Sequence, residues 1–223
     1  MRRQFEIRLG ELRDDILKMG RMVDEELKLA LKALDTLDAA LAHQVMEADA
    51  AVNAERFSIE GKCFELIATQ QPTARDLRAI VAVINMIVDL ERMGDQAKGI
   101  AKLVPRLAEH PKQPQPPEMK QMRDLVSAML TQSMAAYAQN SVDLAALVAN
   151  QEDEVDSLYR SVFAQTMEGM AKTRKQKKVE AYYQVLRVAQ ELERFGDLAT
   201  NIAERVIYIV TGKLHEVNVS EPT

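Results

Sequence analysis

Two carboxylates one helical turn apart occur twice in this chain of 223 residues, in Asp89-Leu-Glu91-Arg-Met-Gly94-Asp95 and again in Glu191-Leu-Glu193-Arg-Phe-Gly196-Asp197. A helix places residues i and i+4 on one face, so Glu91 with Asp95, and Glu193 with Asp197, present paired negative charge. Such pairs cost roughly a few tenths of a kcal/mol each unless something positive lies between them. Each pair has a counterpart upstream. In the second half it is Glu152 with Asp156, with Asp153 beside them; in the first it is Asp49 with Asn53. The spacing from 49 to 91 matches that from 152 to 193 to within one residue.

Those counterparts fall on the helix before each motif, and the chain turns near Gln71 in one half and Lys175 in the other. About 18 residues separate Asn53 from its turn and about 20 separate the turn from Glu91, so a uniform helical rise brings both pairs to similar height. Four oxygen-bearing side chains can then converge in each half. An oxygen-only donor set suits hard or borderline cations such as Mg, Mn, Fe or Ca. The plainer reading is a solvated acidic face with Arg92 or Arg194 as ion-pair partner. Duplication of both the motif and its counterpart favours a site. Gly94 and Gly196 stand mid-helix, where glycine costs about 1 kcal/mol relative to alanine; close helix packing, a ligand or a metal-bound water could each call for them.

The elements that carry these residues are helices. Apolar residues recur at helical spacing from about Phe5 to Leu34, through Leu9, Leu12, Ile16, Met19, Val23 and Leu27. A second helix follows the break at Asp35-Thr-Leu-Asp38 and runs to about Thr69, and Pro72 opens a third that runs to Val104. The pattern repeats as about 119–140, 142–170 and 179–210, with Gly212 as a terminating glycine. Short connections make successive helices antiparallel, an up-down-up bundle in each half. Five of the seven prolines lie between Pro105 and Pro117, a density that forbids a continuous helix. The expected division is a first bundle over 1–108, a linker over 109–118, a second bundle over 119–213 and a polar tail over 214–223.

Composition agrees with packed helices: 47% hydrophobic residues, eight glycines and 4% aromatics. A net charge of -5 and the lack of a basic, aromatic-studded stripe argue against nucleic acid as the main partner. With no signal peptide and no long uninterrupted apolar run, the expected location is the cytoplasm. The single cysteine, Cys63, is expected to be a small core residue beside Phe64, Leu66 and Ile67. Methionines such as Met86, Met93, Met122, Met129 and Met134 are expected to fill the core, and the basic run from Lys172 to Lys178 to be a solvated turn.

These residues resemble the PhoU family of phosphate-transport regulatory proteins over nearly the whole chain. The resemblance is carried by Met19-Gly20, by Gln71-Pro72-Thr-Ala74-Arg-Asp76-Leu77-Arg78, by both Leu-Glu-Arg-x-Gly-Asp motifs and by Asn201-Ile202-Ala203-Glu204 through Gly212, in that order. It implies an all-α fold of two tandem three-helix bundles related by pseudo-twofold symmetry, a homodimer, and multinuclear clusters of iron or zinc on Glu/Asp-x-x-x-Asp motifs. The implied ligands are Glu91, Asp95, Glu152, Asp156, Glu193 and Asp197, with Asp49 as the first-half counterpart of Glu152. The implied role is negative regulation of phosphate uptake and of the phosphate-starvation response. The implied partners are the ATPase of a phosphate ABC transporter and a membrane sensor histidine kinase, with membrane association only through them. Two departures matter. Asn53 stands where the second half has Asp156, so the first site has one formal charge fewer, and Gln96 and Leu198 stand where many relatives have His.

Two other functions compete. A di-metal carboxylate enzyme would use Glu-x-x-His pairs, and His43, His110 and His215 supply none; nor is there a phosphate-binding glycine loop or nucleophile motif. The other alternative is a metal-free helical scaffold.

Overall fold

In the computed structural model, which describes residues 2–110 and 115–213, six helices account for nearly all of the chain. They are α1 (Arg2–Thr36), α2 (Ala39–Gln70), α3 (Ala74–Ala108), α4 (Glu118–Gln139), α5 (Val142–Ala171) and α6 (Gln176–Thr211). No strand occurs among the described residues. Residues 111–114 of the expected linker, and the expected polar tail from 214 with His215 and Pro222, lie outside them.

Local chemistry sets the breaks. Asp38 caps α2 by accepting from the backbone N–H of Ala40 at 2.8 Å and of Leu41 at 3.1 Å, and Ser141 caps α5 by accepting from Leu144 N–H at 3.3 Å. Gln71, Asn140 and Gly212 end α2, α4 and α6 in the left-handed region, with Gly212 at φ 76° as its lack of a Cβ favours. Pro72 does not open α3. Gln71 is left-handed and Thr73 extended, at φ -122° and ψ 156°, so the helix starts at Ala74. Pro105 does not end the third helix at Val104 as expected: it lies inside α3, which continues to Ala108. It sits in the final turn, exposed, where its missing amide costs one helical bond, to the Ala101 carbonyl, and leaves the preceding turns intact.

Helices α1, α2 and α3 pack on one another, as do α4, α5 and α6, giving two three-helix bundles in tandem. The bundles meet where α3 lies along α6 and, less extensively, where α1 meets α4. Each seam pairs an element with its own copy, as a pseudo-twofold relation requires. The core runs through both bundles, from Leu12, Ile16 and Met19 to Phe195, Ile202 and Val206. Met86, Met93, Met122 and Met129 are buried in it, and Met134 is partly buried against it. Cys63 is fully buried and its thiol is pushed up to about 12, chiefly by burial. Phe64, by contrast, points outward and is 56% exposed, so it is not part of that cluster. No described helix is long and apolar enough to cross a membrane.

Candidate metal centre

In the second half, α5 and α6 bring Asp156, Glu193 and Asp197 together. One carboxylate oxygen from each lies within 4.8 Å of the others, and all three side chains are half-buried. Among the described residues this is the group of three acidic or imidazole side chains close enough to share an ion. The helical spacing supplies Glu193 and Asp197 from one face of α6, and the antiparallel α5 supplies Asp156.

The electrostatics are those of crowded, half-buried acids. Burial pushes the Asp197 carboxyl up to about 6, and the charges of Glu193 and Asp156 add to the rise, while Arg194 opposes it. Glu193 is raised by burial and by Asp156 and Glu152. Glu152 belongs to the same field: burial raises it first, the Thr200 hydroxyl offsets part of that, and Asp197 and Asp156 raise it further. Arg194 is exposed and does not neutralise the cluster.

The first half is built differently. Asp49 is buried, 4% exposed, and Asn53 donates its amide both to the Asp49 carboxylate and to the Asp49 backbone carbonyl, each at 3.1 Å. The ammonium of Lys98 lies 2.5 Å from Asp49 Oδ2 and 3.9 Å from Asp95 Oδ1. Glu91 is half-buried and Asp95 exposed. A residue that the motif reading missed stands beneath them: Glu26 of α1 is 2% exposed, and neither of its carboxylate oxygens has a hydrogen-bond partner. Its carboxyl is pushed up to about 8 by burial, then by Asp49, with Lys98 opposing. Glu26 falls three residues after Val23 on the apolar stripe of α1, and an acid on that stripe is the signal that could have found it. Asp24-Glu25 directly before it disguises it as part of a charged run.

The glycines face packing contacts. A Cβ on Gly196 would meet Val155 and Val126 methyls at 3.4 to 3.6 Å; one on Gly94 would meet Glu26 Oε2 at 3.1 Å and Val52 at 3.5 Å. Close approach of α6 to α4 and α5 accounts for Gly196 without a ligand. The same comparison shows that Val126 occupies in the second half the place that Glu26 occupies in the first.

This chain of two tandem, motif-bearing helical bundles belongs to the PhoU family: the PhoU domain model matches residues 16–104 and 119–206. A Clostridium acetobutylicum protein named phosphate-specific transport system accessory protein PhoU homolog is 36% identical over 97% of this chain and 99% of its own. The Escherichia coli protein named phosphate-specific transport system accessory protein PhoU is 30% identical over 94% of this chain and 86% of its own. The crystal structure of PhoU from Pseudomonas aeruginosa superimposes with a TM-score of 0.89 at 32% identity, covering 94% of this chain and all of that one. That of the Streptococcus pneumoniae phosphate transport system regulatory protein PhoU gives 0.86 at 32% identity, over 96% of this chain and all of that one.

Proposed function

We propose that the chain is a non-catalytic regulator of phosphate transport that holds metal between α5 and α6, on Asp156, Glu193 and Asp197 with Glu152 beside them. The observation that carries the metal reading is the convergence of three carboxylates within 4.8 Å across two helices. Their oxygen-only chemistry fits iron, manganese or magnesium, and zinc remains acceptable to carboxylates. A bound cation would supply fixed positive charge to acids whose proton affinity is raised by burial and mutual repulsion. The chain's part is to hold those acids on two helices, so that metal binding and α5–α6 packing reinforce each other.

The regulatory half of the reading rests on the names of the relatives, which are accessory or regulatory proteins of phosphate transport. By that kinship the chain acts in the cytoplasm, as a homodimer, and represses phosphate uptake and the phosphate-starvation response. It does so with the ATPase of a phosphate ABC transporter and a sensor histidine kinase, reaching the membrane only through them. Residues 1–108 and 119–213 would be the two repeats, joined by 109–118. Relatives named as accessory proteins, and a carboxylate cluster that no histidine joins among the described residues, favour this over a di-metal enzyme.

Elemental analysis of the native chain beside a Glu193→Gln, Asp197→Asn variant tests the metal reading: the variant should stay helical and lose its metal, and unchanged metal content would defeat the assignment. The regulatory reading is tested by deleting the gene and following a phosphate-starvation reporter. Expression in high phosphate is the expected result; normal repression would reject it.

A further inference from the structure

Besides Asn53 in place of Asp156, the two halves differ at two further places that face their acidic clusters. Lys98 and Thr200 each follow the Glu of their motif by seven residues, and Glu26 and Val126 each face the motif glycine from the first helix of their bundle. At these two places the first half carries a buried acid and a cation, and the second half carries neither. The two groups lie within each other's field, and a cation beside a buried acid offsets part of the cost of desolvating it.

We propose that the acidic pocket of the first half is a lysine-filled site that excludes metal, with the Lys98 ammonium standing where a cation would bridge α2 and α3. Three observations carry it. The ammonium contacts Asp49 from α2 at 2.5 Å and Asp95 from α3 at 3.9 Å, so one point charge already spans the two helices. Asn53 directs its amide N–H groups at Asp49 and so adds donors, not a carboxylate, to the pocket. Glu26, buried with both oxygens unpartnered, points into the same pocket, close to the Cβ position of Gly94. A divalent ion entering here would have to displace an ammonium from a nearly dry carboxylate, and like charges at such separations repel strongly where water is scarce. In the second half Thr200 puts no charge at that position, so no ammonium competes with a cation beside Asp197.

The test counts Mn(II) bound to the full-length chain by equilibrium dialysis with elemental analysis. Asp49→Asn should leave the wild-type stoichiometry unchanged, because Asp49 is engaged by lysine. Lys98→Thr should raise it by about one Mn(II) per chain, since Asp49, Asp95 and Glu26 then lack their cation. Lys98→Arg, which keeps the charge, should stay at the wild-type value. Where Lys98→Thr folds poorly, the Glu26→Val, Lys98→Thr double variant removes the stranded acid as well, reproduces the second half at both places, and should show the same gain. Loss of Mn(II) in Asp49→Asn, or no gain in either lysine variant, overturns the proposal. Neither result depends on whether the second half binds metal, which is read separately from Asp197→Asn.

Discussion

Lys98 and Thr200 occupy the same position in the two repeats, and only Lys98 is charged: its ammonium reaches Asp49 at 2.5 Å, while Thr200 lies beside Glu152 with no cation to offer. The difference gives Asp49 a cation of its own in the first half, where the second half offers none at the matching position. Removing the lysine strands Asp49 and Glu26, both almost fully buried. Lys98→Ala should therefore destabilise the chelator-treated protein by about 1–3 kcal/mol, and Thr200→Ala by much less. Denaturant midpoints compare them; equal losses at the two positions would show that Lys98 has no special role.

The pH dependence of the metal-free chain follows from the raised carboxyls. Asp197 moves from an ordinary 3.8 to about 6 on folding. Between those values the folded chain holds the additional proton, so stability is fully present below the lower one and is lost as pH rises through about 6. Asp89, raised from 3.8 to about 6 chiefly by burial, has the same sign, and Glu26, at about 8, extends the loss to higher pH. In chelator the Tm should fall from about pH 5 to about pH 7.5, and Asp197→Asn should flatten part of the fall. Added Mn(II) competes with protons and should oppose it. A Tm that climbs over this interval in chelator would contradict these assignments.

The motif glycines should respond unequally to alanine. At Gly196 the new methyl meets valine methyls at ordinary contact distance, so Gly196→Ala should gain up to about 1 kcal/mol from helix propensity. At Gly94 it presses on the unpartnered Glu26 carboxylate at 3.1 Å, which should reduce or reverse the gain. Thermal denaturation of the two variants decides this; a destabilised Gly196→Ala would indicate that the glycine serves something other than close packing.

Periodicity made the six helices legible, because the apolar stripe of each is long and the breaks carry residues with clear local preferences, as at Asp38, Ser141 and Gly212. The chain of prolines misled at one point. Pro105 looks like a stop that ends the third helix at Val104, but a proline this close to the helix end forgoes a single helical hydrogen bond, and Leu107 still reaches the core. Pro105→Ala should accordingly stabilise the chain by only about 1–2 kcal/mol, below the full helix-interior penalty of proline, as a urea titration would show; destabilisation would mean the proline shapes the helix end.

The acidic pairs were readable from spacing because i and i+4 on adjacent helices fix height and face. Their unequal surroundings were not. Glu26 comes from α1, which the motif does not touch, and Lys98 reads in isolation as one more surface cation. Only packing turns both toward Asp49. Asn53 was visible as a lost charge, but the structure shows in addition that its amide is committed to Asp49.

Anomalous diffraction at the manganese edge, from crystals of the full-length chain grown with Mn(II), tests the central claim most directly. Metal density is expected between α5 and α6, against Asp156, Glu193 and Asp197, with the Lys98 ammonium still on Asp49 in the first half. Density beside Asp49 and Asp95 with Lys98 turned away, or none between α5 and α6, would contradict it.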